Sequence, residues 1–101
     1  MDIDQVKTIL KKNETKNYND SRQILKNKNN VMHGNEIGVV LSIINNNLFE
    51  VFIHAKIDNE VFSQILYSTF NTIIEANEYY DKLLKYIINY DIEGIIAEIK
   101  N

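Results

Sequence analysis

Apolar positions along this 101-residue chain follow three different spacings. Ile3, Val6, Ile9 and Leu10 recur at helical spacing, with Asp2 or Asp4 placed to cap the start and Lys11 and Lys12 at the negative end of the dipole. This predicts a first helix ending near residue 12. A polar stretch over 13–19 breaks the pattern, after which Asn19, Asp20 or Ser21 is placed to cap a short second helix carrying Ile24 and Leu25 toward the core. "VMHGNE" reads as a loop in which Gly34 can take positive φ.

The second spacing is alternation. "IGVVLSII" (37–44), "LFEVFIHAKI" (48–57) and "VFSQILYSTF" (61–70) are rich in β-branched and aromatic residues and are separated by the polar turns "NNN" and "DNE". They predict a three-stranded antiparallel meander. With three residues in each turn, Ile44 lies beside Leu48 and Ile57 beside Val61. One face then gathers Val39, Leu41, Ile43, Phe49, Val51, Ile53, Ala55, Ile57, Val61, Ile65 and Tyr67 as the core face. The other gathers Val40, Ile44, Leu48, Phe52, Phe62, Leu66 and Phe70 among Ser42, Glu50, His54, Lys56, Gln64 and Ser68, too apolar for an ordinary wet face.

From residue 72 the spacing returns to helical. "TIIE" has the form of a capping box, Ile73, Ala76, Tyr80, Leu83, Leu84 and Ile87 make an apolar stripe, and Asn77, Glu78, Asp81, Lys82 and Lys85 lie mostly outside it. "NYDI" (89–92) interrupts the stripe, and Ile92, Ile95, Ile96 and Ile99 supply a last short helix weakened by Gly94. The expectation is a single α+β domain over 1–101. It comprises a basic amino-terminal segment (1–30) of one or two helices, a sheet (37–70), and two carboxyl-terminal helices (72–100) packed on the sheet. Those last helices reach only one sheet face, so the amino-terminal helices are expected over part of the other, leaving an apolar patch near Val40, Ile44, Leu48 and Phe52.

Composition changes the picture mainly by exclusion. There is no Cys, which removes disulfides, thiolate metal sites and cysteine nucleophiles together. His33 and His54 show no metal-ligand spacing, Ser21, Ser42, Ser63 and Ser68 lie in no nucleophile elbow, and Gly34, Gly38 and Gly94 make no phosphate loop. The reading is therefore non-enzymatic, without metal, cofactor or small-molecule substrate. Met1 leads into "DIDQVKTILKK" with no secretion signal, and no apolar run is long enough to span a bilayer, so a cytoplasmic protein is expected. Fifteen Asn, seventeen Ile and ten Lys, with no Pro or Trp, fit an AT-rich bacterial or mobile-element genome.

Charge adds a polarity. The chain carries −3 overall, yet residues 7–28 hold seven of its eleven basic residues against only Glu14 and Asp20. Lys11, Lys12, Lys16, Arg22, Gln23, Lys26 and Lys28 are the candidate nucleic-acid contacts, able to displace phosphate counterions and reach base edges. Glu75, Glu78 and Asp81, with Asp91, Glu93 and Glu98, form the acidic counterpart on the last helices and, with Phe52 and Leu48, are the candidate protein-binding residues.

The order helix, three strands, helix resembles a double-stranded-RNA-binding domain in topology. "TIIEANEYYDK" is acidic where that family's last helix is basic, so its function is not carried across. In size, charge and element order the chain resembles phage-encoded inhibitors such as anti-CRISPR proteins, and toxin-immunity proteins, whose acidic surfaces mimic or block nucleic-acid sites. That resemblance implies a small inhibitor or regulator of a protein partner, while the apolar patch on the sheet is the expected surface for that partner or for a homodimer. The alternative is a plasmid or phage accessory protein that binds nucleic acid through 7–28.

Overall fold

The computed structural model describes residues 1–17, 21–45 and 48–101. Its elements run α1 (Ile3–Lys12), β1 (Gln23–Met32), β2 (Asn35–Ile44), β3 (Leu48–Ile57), β4 (Glu60–Phe70), α2 (Ile73–Ile88) and α3 (Ile92–Lys100). The four strands form one open antiparallel sheet in the order β1-β2-β3-β4, so each strand pairs with its neighbour in sequence.

The helices start where their caps dictate. Asp2 accepts the Gln5 backbone N–H at 2.9 Å and the Gln5 side chain accepts the Asp2 N–H at 3.0 Å, a complete capping box that places Val6 and Leu10 inward. Thr72 accepts the Glu75 N–H at 3.2 Å, but the Glu75 carboxylate takes the Thr72 hydroxyl at 2.9 Å where a full box would have it reach the backbone. Asp91 accepts the Gly94 N–H at 2.8 Å and starts α3 directly after Tyr90, whose φ of 48° turns the chain out of α2. The proposed caps Asn19 and Asp20 lie outside the described residues.

The expected second helix is a strand. Gln23–Met32 pairs with β2 from Gln23↔Ile43 to Met32↔Asn35, and the expected basic helical segment therefore holds one helix and an edge strand. Local propensity favours neither state in "QILKNKNNVM", so hydrogen bonding to the apolar β2 decides it. The connection is a two-residue turn in which His33 (φ 53°) and Gly34 (φ 79°) both adopt left-handed backbone, the primed geometry that suits a twisted hairpin.

The same turn chemistry corrects the face assignment in β4. Asp58 and Asn59 both have positive φ (53° and 64°), giving a two-residue turn that pairs Ile57 with Glu60, one residue short of the expected Ile57–Val61 pairing. The slip exchanges faces: Phe62 is fully buried in the core while Val61 is 61% exposed. Two register shifts follow along β4, where Gln64 (φ 57°) and Leu66 (φ 55°) break the regular ladder. They return Ile65 to the core and carry Tyr67 to the opposite face, against Phe52. The first hairpin keeps its expected register, with Ile44 opposite Leu48.

All three helices lie on one face. Val6 and Leu10 of α1, Ala76, Tyr80, Leu83 and Ile87 of α2, and Ile95 and Ile96 of α3 join Ile37, Val39, Leu41, Val51, Ile53, Ala55, Ile57, Phe62 and Ile65 in one apolar core. Each fully buried Leu, Ile or Phe there contributes about 1.5–3 kcal/mol. The expectation that α1 covers the second sheet face is thus overturned: α1 packs against α3 and β4 on the core side.

Candidate interaction surface

Among the described residues no helix covers the second sheet face, yet its centre is closed by its own side chains. Phe52 is only 7% exposed, and Val40 and Ile44 are equally buried. Tyr67 stacks on the Phe52 ring at 6.1 Å between centroids, and the Arg22 guanidinium lies over it at 5.3 Å. The expected exposed patch around Phe52 is therefore a sealed floor. Leu48, at the hairpin, is half-buried.

Beside Phe52 sits a fully buried acid. Glu50 on β3 accepts the Ser42 hydroxyl at 2.6 Å, the Tyr67 hydroxyl at 2.6 Å and two bonds from Arg22, one through Nη2 at 3.1 Å and one through Nε. Burial pushes the Glu50 carboxyl up, but Arg22, Ser42 and Tyr67 together outweigh it and hold the group below its ordinary value. Burial, reinforced by Glu50, raises Tyr67. Four polar side chains here satisfy one another, which makes a structural rivet on the sheet. It also removes Arg22 from the set of free cations. Sequence reasoning missed this cluster; its signal was the one acid of β3, at an alternating position between the apolar Phe49 and Val51.

On the same face, the cross-strand row beyond Val40 and Phe52 holds Gly38, Asn29 and His54. A Cβ at Gly38 would collide with the His54 imidazole and the Asn29 amide, so glycine is required for these side chains to meet above it. Burial lowers the His54 pKa, with Glu36 pulling the other way. Among the described residues no group of three or more His, Cys, Asp or Glu is arranged to hold a metal, and no helix is long and apolar enough to cross a membrane.

The two edges of the sheet differ sharply. Residues 14–17 run along β4: Glu14 bridges Ile65, Thr15 donates to the Gln64 carbonyl at 3.1 Å, and the Gln64 side chain makes reciprocal bonds of 2.9 and 2.8 Å with the Asn17 backbone. The Glu14 carboxylate accepts the Ser63 N–H at 2.7 Å. Burial acts to raise its pKa, but Ser63, Lys11 and Lys16 together hold it below the ordinary range. Among the described residues its second oxygen has no hydrogen-bond donor, and the Lys11 ammonium lies 3.7 Å from it. The β1 edge has no such cover among the described residues. Nine of its ten residues are exposed, including Ile24, Leu25, Val31 and Met32, and the half-buried Asn30 donates to the Ile87 and Ile88 carbonyls at the end of α2.

The fold separates the charges that the sequence placed together. Lys11, Lys12 and Lys16 stand on α1 and the segment beside β4, whereas Gln23, Lys26 and Lys28 stand on β1, which is itself three strand spacings or roughly 14 Å from β4 across the sheet. Lys26 rests over the Tyr80 ring at 4.4 Å, and Lys28 has no carboxylate within ion-pair distance among the described residues. The acidic set divides as well. Glu75 is engaged at the α2 cap, Glu98 is held below its usual range chiefly by Lys82, at 2.9 Å, and by the Tyr86 hydroxyl, at 2.8 Å, and Asp91 caps α3. Glu78, Asp81 and Glu93 remain: Glu93 is exposed in the first turn of α3, and Glu78 and Asp81 line a shallow depression with Lys82, Lys85 and Tyr86 on α2, in the helix layer opposite Phe52 and Leu48. Comparison with protein-family models, curated proteins and solved structures returned no match.

Proposed function

We propose that the chain is a non-enzymatic protein-binding protein, a small inhibitor or regulator of the kind carried by phages and plasmids, whose partner sits on the β1 edge. The observation that carries this reading is the inequality of the two sheet edges, one bridged by residues 14–17 over Ser63–Ile65 and the other, among the described residues, without any such cover and with four large apolar side chains exposed. Edges recruit other strands unless blunted or covered; the irregularity between Ile24 and Lys26 and the two lysines blunt β1 in part, but its regular ladder over Lys26–Met32 stays open to a strand of complementary charge. The acidic helices offer less, since Glu75, Glu98 and Asp91 are already engaged within the chain. The nucleic-acid alternative keeps Lys26 and Lys28, interleaved with exposed Asn27 and Asn29, as its strongest feature. It loses Arg22 to Glu50 and has its remaining lysines on the far edge.

Affinity capture from the source cells with three baits tests the assignment. The unmodified chain and a Glu78→Lys, Asp81→Lys double variant are expected to retain the same protein, while Ile24→Asp with Val31→Asp loses it. Loss with the α2 variant and retention with the β1 variant would move the surface to the helices. Release of all captured material by nuclease would hand the function to nucleic acid.

A further inference from the structure

We infer that β1 accepts, as an added strand, an extended segment of the partner bearing acidic side chains at two alternate positions. The inference rests on the protein-binding reading above and specifies its chemistry. Beyond the register shift between Ile24 and Lys26, the stretch Lys26–Met32 pairs regularly with β2 and provides an uninterrupted outer ladder. Within it Lys26, Lys28 and Asn30 face the helices, opposite Leu41, Val39 and Ile37, while Asn27, Asn29 and Val31 face the open side. Asn30 is fixed to the end of α2, so the two lysines, two residues apart on one side of the strand, are the charged groups an incoming strand meets.

Neither lysine is neutralised within the described chain; Lys26 has only an aromatic ring beneath it and Lys28 no counter-ion. Opposite charges placed across a strand pair stabilise it and like charges oppose it. A second copy of this chain is the poorer occupant. Antiparallel self-pairing centred on Asn27 sets Lys26 against Lys28, centring on Lys28 sets it against its own copy, and centring on Asn29 leaves the two Lys28 side chains diagonal neighbours. A partner strand with Glu or Asp at alternate positions meets both ammonium groups, and apolar residues at its ends meet Val31 and Met32.

The test uses the full chain and three fluorescein-labelled ten-residue peptides of alternating threonine and valine, carrying glutamate, glutamine or lysine at two alternate central positions. Anisotropy at low salt is expected to rank glutamate about tenfold above glutamine, with lysine weakest. Amide hydrogen exchange is expected to slow within 26–32 on binding the glutamate peptide. Both lysines are exposed, so Lys26→Glu with Lys28→Glu folds normally and should reverse the ranking. The inference fails if no peptide slows exchange in 26–32, or if glutamate is still preferred after the charge reversal. It also fails if these amides are already protected, in a concentration-dependent way, in the free protein, which would make the occupant a second copy. Using the charge-reversed chain as a capture bait separates this from the broader reading: a partner still captured leaves protein binding intact and removes only the acidic-segment chemistry.

Discussion

The Arg22–Glu50 pair is unequal in a way that predicts its mutational behaviour. Glu50 has no solvent access, whereas the Arg22 side chain keeps 22%. Removing Arg22 therefore strands a buried carboxylate, while removing Glu50 leaves a cation that can turn to water. Arg22→Ala should cost about 3–5 kcal/mol and Glu50→Gln less, because the amide keeps the volume and still accepts from Ser42 and Tyr67, as read by urea unfolding. Because the fold favours ionised Glu50, its contribution is present above the ordinary carboxylate range, near pH 4.3, and is lost as pH falls through the lowered folded value. A Glu50→Gln variant should thus melt below the parent at neutral pH, with the gap closing below about pH 4. Gly38→Ala, by forcing Asn29 and His54 apart, should cost about 1–3 kcal/mol in the same assay.

At the scale of elements, strong periodicity is legible in the sequence and turn geometry is not. The stripes of α1, α2 and α3 and the alternation of β2 and β3 carry enough apolar side chains to declare their type. β1 does not, because Lys, Asn and Gln at most of its positions leave pairing with β2 to determine its state. The face error in β4 has a narrower cause: "DNE" reads as three turn residues, but Asp58 and Asn59 both tolerate positive φ and close the turn in two. Asn59→Gly should stabilise the chain by about 0.5 kcal/mol, since glycine adopts that backbone at no steric cost. Thermal unfolding at fixed pH reads this directly, and a decrease would mean the Asn59 side chain has a role beyond the turn. Of the candidate site residues, the acids on α2 are placeable by spacing. The bare edge is not, because exposure of a strand depends on which neighbours the topology supplies.

For the whole molecule, a net −3 conceals two lysine groups at opposite edges of the sheet. A nucleic-acid titration at two salt concentrations should give weak binding to duplex and single strands alike. Lys26→Ala with Lys28→Ala should change the salt slope by no more than about 2, roughly one unit for each phosphate that a lysine ceases to neutralise. Sequence-selective binding that collapses in a Lys11→Ala, Lys12→Ala variant would instead unite the two groups on one ligand.

The segment beside β4 has a consequence for how fast the molecule comes apart. Every hairpin in the sheet joins neighbours in sequence, but Glu14 meets Ser63 across 49 residues, and such distant pairings form late in folding. Interactions absent from the folding transition state slow unfolding without speeding folding. Glu14→Ala should therefore steepen the escape from the native state in stopped-flow experiments while refolding proceeds at the parental rate, making residues 14–17 a clasp that sets the lifetime of the fold.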